Sequence, residues 1–75
     1  MLELYGTARC PHTGEMRDWL EGKRSEFVEY DVEADADARR RIREISGGQR
    51  TVPILVEDGK IVQVGWQGRG CIIDE

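Results

Sequence analysis

Asp58-Gly59 stands between two runs of strand-forming residues, Pro53-Ile54-Leu55-Val56-Glu57 and Lys60-Ile61-Val62-Gln63-Val64, and that arrangement leaves a chain little choice. A two-residue turn with positive φ at both central positions reverses the chain with the twist an antiparallel pair needs, and Asp-Gly is among the pairs that accept it. The C-terminal half therefore contains a hairpin. The N-terminal half is patterned differently. Leu2-Glu3-Leu4-Tyr5 and Phe27-Val28-Glu29-Tyr30-Asp31-Val32 read as strands, and a helical pattern lies between them. Pro11 suits the first position of that helix because its missing N–H would have no partner there, Met16, Trp19 and Leu20 recur at i, i+3, i+4, and Gly22 ends the run. A strand, a helix and a second strand form a right-handed parallel crossover. With the hairpin, this predicts an α/β chain built on a mixed four-strand sheet.

A second helix is expected from about Asp35 to Ser46, with Asp35 and Asp37 in its first turn, Ala38, Ile42 and Ile45 on one apolar face, and Gly47-Gly48 as its stop. Its run of Arg39, Arg40, Arg41 and Arg43 has acidic partners at helical spacing and reads as a solvated face. Residues 65–75 carry Gly65, Gly68 and Gly70, which argue against a stable third helix starting at Gly65; they read as a loop with a short end. A chain of 75 residues is expected to form one domain over 1–75, with a modest core. The net charge of -4 gives no basic field for a phosphate backbone, so nucleic acid is not an expected partner. Neither a secretory leader nor a membrane-spanning apolar run is legible, which predicts a cytoplasmic protein without membrane attachment.

Cys10 is the residue with chemistry to offer. A thiol is only slightly ionised at neutral pH, and its thiolate is the nucleophile; the free backbone N–H groups at a helix start stabilise that charged form. Cys10-Pro11-His12-Thr13 places the sulfur there, beyond the C-terminal end of the first strand, where α/β sheets hold ligands. His12 is a candidate to stabilise the thiolate as a cation or to protonate a leaving thiolate, and the Thr13 hydroxyl is a candidate donor to the sulfur. Metal binding at Cys10 and His12 is not expected, because no further Cys or His pair completes a zinc set.

Tyr5-Gly6-Thr7-Ala8-Arg9-Cys10-Pro11-His12-Thr13, then Gly48-Gln49-Arg50-Thr51-Val52-Pro53, then the Asp58-Gly59 hairpin and Gly65 resemble the glutaredoxins of the thioredoxin-fold superfamily. The nearest likeness is to bacterial members with a Cys-Pro-His-Thr-like start, some of which carry selenocysteine at the position of Cys10. The resemblance implies a thioredoxin-like sheet flanked by two or three helices, the third short or absent. It implies a thiol-disulfide oxidoreductase in which Cys10 forms mixed disulfides, Thr51 and Val52 pair their backbone with the substrate, and a cis Pro53 shapes the contact. Arg9, Arg50 and Arg69 are candidate cationic contacts to a small anionic thiol. The implied partners of a monomer are disulfide-containing proteins or small-thiol mixed disulfides, with no bound cofactor. Monothiol relatives that carry an iron-sulfur cluster offer an alternative reading, although those relatives have Cys-Gly-Phe-Ser.

Thr13 stands where dithiol members have a second cysteine, so the motif itself holds no resolving thiol. Thr7 replaces a lysine common in the family, and Gln67 with Gly68 replaces an acidic pair that often binds the glutathione amino group. The expected co-substrate is accordingly glutathione or another low-molecular-weight thiol. Cys71 is the other thiol of the chain. Three roles are open to it: resolving the mixed disulfide on Cys10, anchoring the core beside Ile72 and Ile73, or bonding to another molecule.

Overall fold

The computed structural model describes residues 1–73. Its elements are β1 (Leu2–Gly6), α1 (Pro11–Gly22), β2 (Phe27–Asp31), α2 (Ala36–Ser46), β3 (Thr51–Val52), β4 (Ile54–Glu57), β5 (Lys60–Val64) and β6 (Cys71–Ile72). Four strands form one mixed sheet in the order β2-β1-β4-β5. The β1/β2 pair is parallel, with Leu2 opposite Phe27, whereas β1/β4 and β4/β5 are antiparallel. This is the expected α/β sheet with two helices.

Alternation along the strands divides the core between the two sheet faces. Leu4 and Leu55 point to one face, where they pack with Met16 and Leu20 of α1. Their neighbours Tyr5, Ile54 and Val56 point to the other, against Ala38 and Ile42 of α2. Successive residues of a strand face opposite ways, so one sheet serves both helices. Truncation of Leu20 to Ala, at a site 1% exposed, removes about 2–5 kcal/mol of stability on this account. Trp19, expected on the same apolar face, lies at its margin instead. It is 40% exposed, with its ring 5.5 Å from that of Trp66 and the Lys23 ammonium 4.1 Å above it.

Asp35 caps α2 by accepting from the Ala38 N–H at 3.1 Å, and Gly47 ends it at φ 71°. Asp58 and Gly59, at φ 51° and 80°, make the anticipated hairpin turn. Two expectations are corrected. Pro53 does not begin the hairpin strand; it separates the short β3 from β4, while its peptide bond with Val52 is cis, as the family resemblance implied. The C-terminal segment is not a plain loop. Trp66 and Arg69 exchange backbone hydrogen bonds of 2.6 and 2.9 Å around Gln67 and Gly68, whose φ of 52° and 78° are those of a second tight reversal. After it, Cys71–Ile72 forms β6 and pairs antiparallel with β3. Of the glycines that argued against a helix, Gly68 serves this turn. No helix among the described residues is long and apolar enough to cross a membrane.

Candidate active site

The site begins where β1 ends. Gly6 accepts the Val32 N–H at 2.9 Å, so the strand is pinned to the chain beyond β2 up to its last residue. A side chain on Gly6 is excluded, because its Cβ would lie 2.4 Å from Thr13 Cγ2. That close approach seats the first turn of α1 against the strand end. Thr13 is buried, and its hydroxyl oxygen accepts the Thr7 N–H at 3.4 Å. Cys10 N–H donates to Thr7 O at 3.3 Å, and Cys10 O accepts from Thr13 N–H at 3.1 Å. The loop from Thr7 to Cys10 is thus closed on itself.

Cys10 occupies the N-cap of α1, with extended φ and ψ of -85° and 115°, and Pro11 follows at the first helical position. In most helices a Ser, Thr, Asp or Asn oxygen at this position accepts from the free N–H groups of the first turn. Here no side chain makes that bond, and the residue so placed carries sulfur. An ionised sulfur at this position faces the positive end of the helix.

The wall opposite is β3. The Val52 carbonyl oxygen lies 4.0 Å from Cys10 Sγ. Across β3 runs β6, with Val52 opposite Cys71 and Thr51 opposite Ile72. This register delivers Cys71 to Cys10, and the two sulfurs are bonded, with Cα atoms 6.0 Å apart. Native disulfides span about that distance. The site therefore contains a dithiol pair, made from residues 61 positions apart rather than from one motif. The chain after Gly65, read from the sequence as a loop with a short end, does not leave the site. Its reversal at Gln67-Gly68 sends it back.

Three contacts hold β6 in place. Pro53 O accepts the Gly65 N–H at 2.7 Å at the start of the segment, and Arg50 O accepts the Ile73 N–H at 2.9 Å at its end. Ile73, 5% exposed, packs in the cluster that contains Cys10, Val52, Ile42 and Ala38. The third contact is a close approach at Gly70, where a Cβ would stand 2.6 Å from Thr51 Cγ2 and 2.7 Å from Val52 O. Gly70 and Ile73 are functional neighbours that the sequence reading did not single out. The alternation of a buried Ile73 with an exposed Ile72 was too short a pattern to declare a strand.

The other candidates are distributed around this centre. His12, half-buried, has Nδ1 2.7 Å from Glu15 Oε1 one turn along α1. Arg9 is committed to Glu33 through two side-chain hydrogen bonds. The Arg50 and Thr51 N–H groups both donate to Gln49 Oε1, at 3.1 and 3.2 Å, and the Arg50 side chain lines a shallow depression with Arg39, Arg43 and Ile73. Arg69 contributes its backbone to the tail reversal. Beneath the site on β1, Tyr5 is buried, its hydroxyl donates to Glu3 Oε1 at 3.2 Å, and its ring stacks 5.0 Å from that of Tyr30. Burial, with the Glu3 carboxylate adding to it, pushes the Tyr5 hydroxyl up to about 12. It remains neutral across the physiological range.

Comparison with known proteins agrees with this architecture. The glutaredoxin family model matches residues 2–62. A protein of Clostridium pasteurianum, described as an uncharacterized glutaredoxin-like 8.6 kDa protein in the rubredoxin operon, is 32% identical over 62 residues, which cover 83% of this chain and 81% of that protein. The crystal structure of the thioredoxin-like protein BC3987 superposes with a TM-score of 0.78 at 30% identity, over 89% of each chain. A glutaredoxin from Archaeoglobus fulgidus shares the fold, with a TM-score of 0.71 at 22% identity over 88% of this chain and 75% of its own. The family match ends before the segment that carries Cys71. By its matched sequence, its sheet order and its cysteine at the head of α1, the chain belongs to the glutaredoxin family.

Proposed function

We propose that the protein is a thiol-disulfide oxidoreductase that works with Cys10 as nucleophile and Cys71 as resolving thiol. The observation that carries this reading is the Cys10–Cys71 bond at the N-terminus of α1. In the reduced form the Cys10 thiolate attacks one sulfur of a substrate disulfide. A new S–S bond forms to Cys10, and the other substrate sulfur leaves as a thiolate and takes a proton, for which His12 on the first turn is the nearby acid. The Cys71 thiolate then attacks Cys10 Sγ. The Cys10–Cys71 bond forms and the first substrate sulfur departs as a thiolate. The substrate has gained two electrons and the cysteine pair has lost two. Two equivalents of glutathione or another low-molecular-weight thiol return the pair to the dithiol and leave as the oxidised thiol. Cys10 has the nucleophile's role because it alone of the two sits at a helix start.

Mass spectrometry of the reduced protein after exposure to oxidised glutathione tests this. The wild-type protein is expected to lose two hydrogens and to carry no adduct at completion, whereas Cys71→Ser is expected to stop with one glutathione on Cys10. A stable glutathione adduct on the wild type would overturn the resolving role, and an unmodified Cys71→Ser protein would overturn the nucleophile.

A further inference from the structure

β3 is an unusual strand: two residues long, outside the main sheet, and paired with no strand but β6 among the described residues. Its partner arrives extended and antiparallel, and brings a cysteine sulfur to Cys10. Those are the requirements that a protein substrate must meet at the moment of its mixed disulfide. Backbone pairing along an exposed edge gives affinity, and alternate side chains give selectivity. We infer that residues 70–73 are a tethered copy of the preferred substrate segment: an extended polypeptide with glycine before its reacting cysteine and an apolar residue two positions after it, which competes with the tail for β3. The inference rests on the redox reading above and adds the chemistry of what is recognised.

Each position of the segment has a reason in the geometry. The residue before the cysteine meets Thr51 Cγ2 at 2.6 Å and the Val52 carbonyl at 2.7 Å as soon as it has a Cβ, and Val52 O belongs to backbone that is itself packed against Cys10. A β-branched residue is excluded there more firmly than alanine. The residue after the cysteine is free in its choice, since Ile72 is 66% exposed. The next side chain enters the core beside Ile42 and Val52, as Ile73 does at 5% exposure, and its N–H reaches Arg50 O at 2.9 Å. An acidic residue there would be buried without a partner.

The test uses two synthetic hexapeptides, one with the sequence of residues 68–73, Gly-Arg-Gly-Cys-Ile-Ile, and one with valine in place of the glycine before cysteine. Each carries thionitrobenzoate in disulfide linkage. Attack by the Cys10 thiolate on the peptide sulfur forms the Cys10–peptide disulfide and releases thionitrobenzoate as a coloured thiolate. With full-length Cys71→Ser protein, the glycine peptide is expected to react faster by about tenfold or more. The tail competes equally with both peptides, so their ratio reports the edge. Adding Gly70→Val should undock the tail and raise the rate with the glycine peptide, opposite to what general damage to the fold would do. Reduced wild-type protein repeats the peptide ratio if Cys71→Ser folds poorly. Equal rates that both exceed that of free cysteine would overturn the inference and leave the redox reading standing. Rates no faster than free cysteine would overturn both.

Discussion

Cys10 holds a helix position that usually belongs to an oxygen, and no side chain caps the first-turn N–H groups of α1, so the sulfur of a reduced, ionised Cys10 faces the positive end of that helix. Iodoacetamide alkylation of the reduced protein is therefore expected to stay fast well below the ordinary thiol range near about 8.5, and Pro11→Gly, which loosens the helix start, should slow it at pH 6. Mass mapping separates Cys10 from Cys71. Tyr5 gives a second expectation with a definite sign. Its hydroxyl is raised to about 12 by burial, against about 10 in an unfolded chain. A raised value means that its contribution to stability is complete below about 10 and lost as pH climbs towards 12. Thermal melts between those values should fall for the wild type and fall less for Tyr5→Phe. At this scale the legible residues were those whose role is local. Cys10 could be read from its Pro11 neighbour and Thr51-Val52-Pro53 from the family pattern, whereas the bond from Thr7 to Thr13 and the pairing of Arg9 with Glu33 depend on where β1 and β2 end.

Two tight turns show why one element was legible and another was not. Asp58-Gly59 advertises positive φ in its residue types, and the hairpin between β4 and β5 follows. Gln67-Gly68 adopts nearly the same pair of angles, but glutamine has no marked preference for that region, so the sequence carried half a signal. Two residues of β6 add too little periodicity to supply the rest. The turn can be used to move the redox equilibrium without touching a sulfur. Gly68→Ala forces a Cβ into the left-handed region at a cost of about 1–2 kcal/mol, which should disfavour the docked tail and raise the reduction potential by roughly 20–40 mV. Gln67→Asn, which suits the turn, should lower it. Equilibration in graded glutathione buffers reads both shifts. Alkylation of reduced Cys10 should be unaltered in either variant.

For the whole molecule, the bond between Cys10 and Cys71 closes nearly the full length of the chain, with a sequence separation of 61. Cross-linking so long a loop restricts the unfolded state and is worth about 2–4 kcal/mol. Reduction is accordingly expected to lower the melting temperature by roughly 8–32 °C, at about 4–8 °C per kcal/mol for a domain of this size. Cys71→Ser should melt with the reduced wild type and not below it; a Tm independent of reductant would contradict the linkage. The sheet order and the two helices were legible because each follows from local periodicity and chain handedness. The joining of the tail to β3 was not, because it is a long-range pairing that no local pattern encodes. The tail also sets the surroundings of both tryptophans of the chain. Trp66 opens the Gln67-Gly68 reversal and its ring leans on Trp19, 5.5 Å away at 56°. Release of the tail on reduction is expected to change the ultraviolet emission and the near-ultraviolet dichroism of this indole pair, an optical gauge of redox poise that a titration with reductant would read in real time without a label.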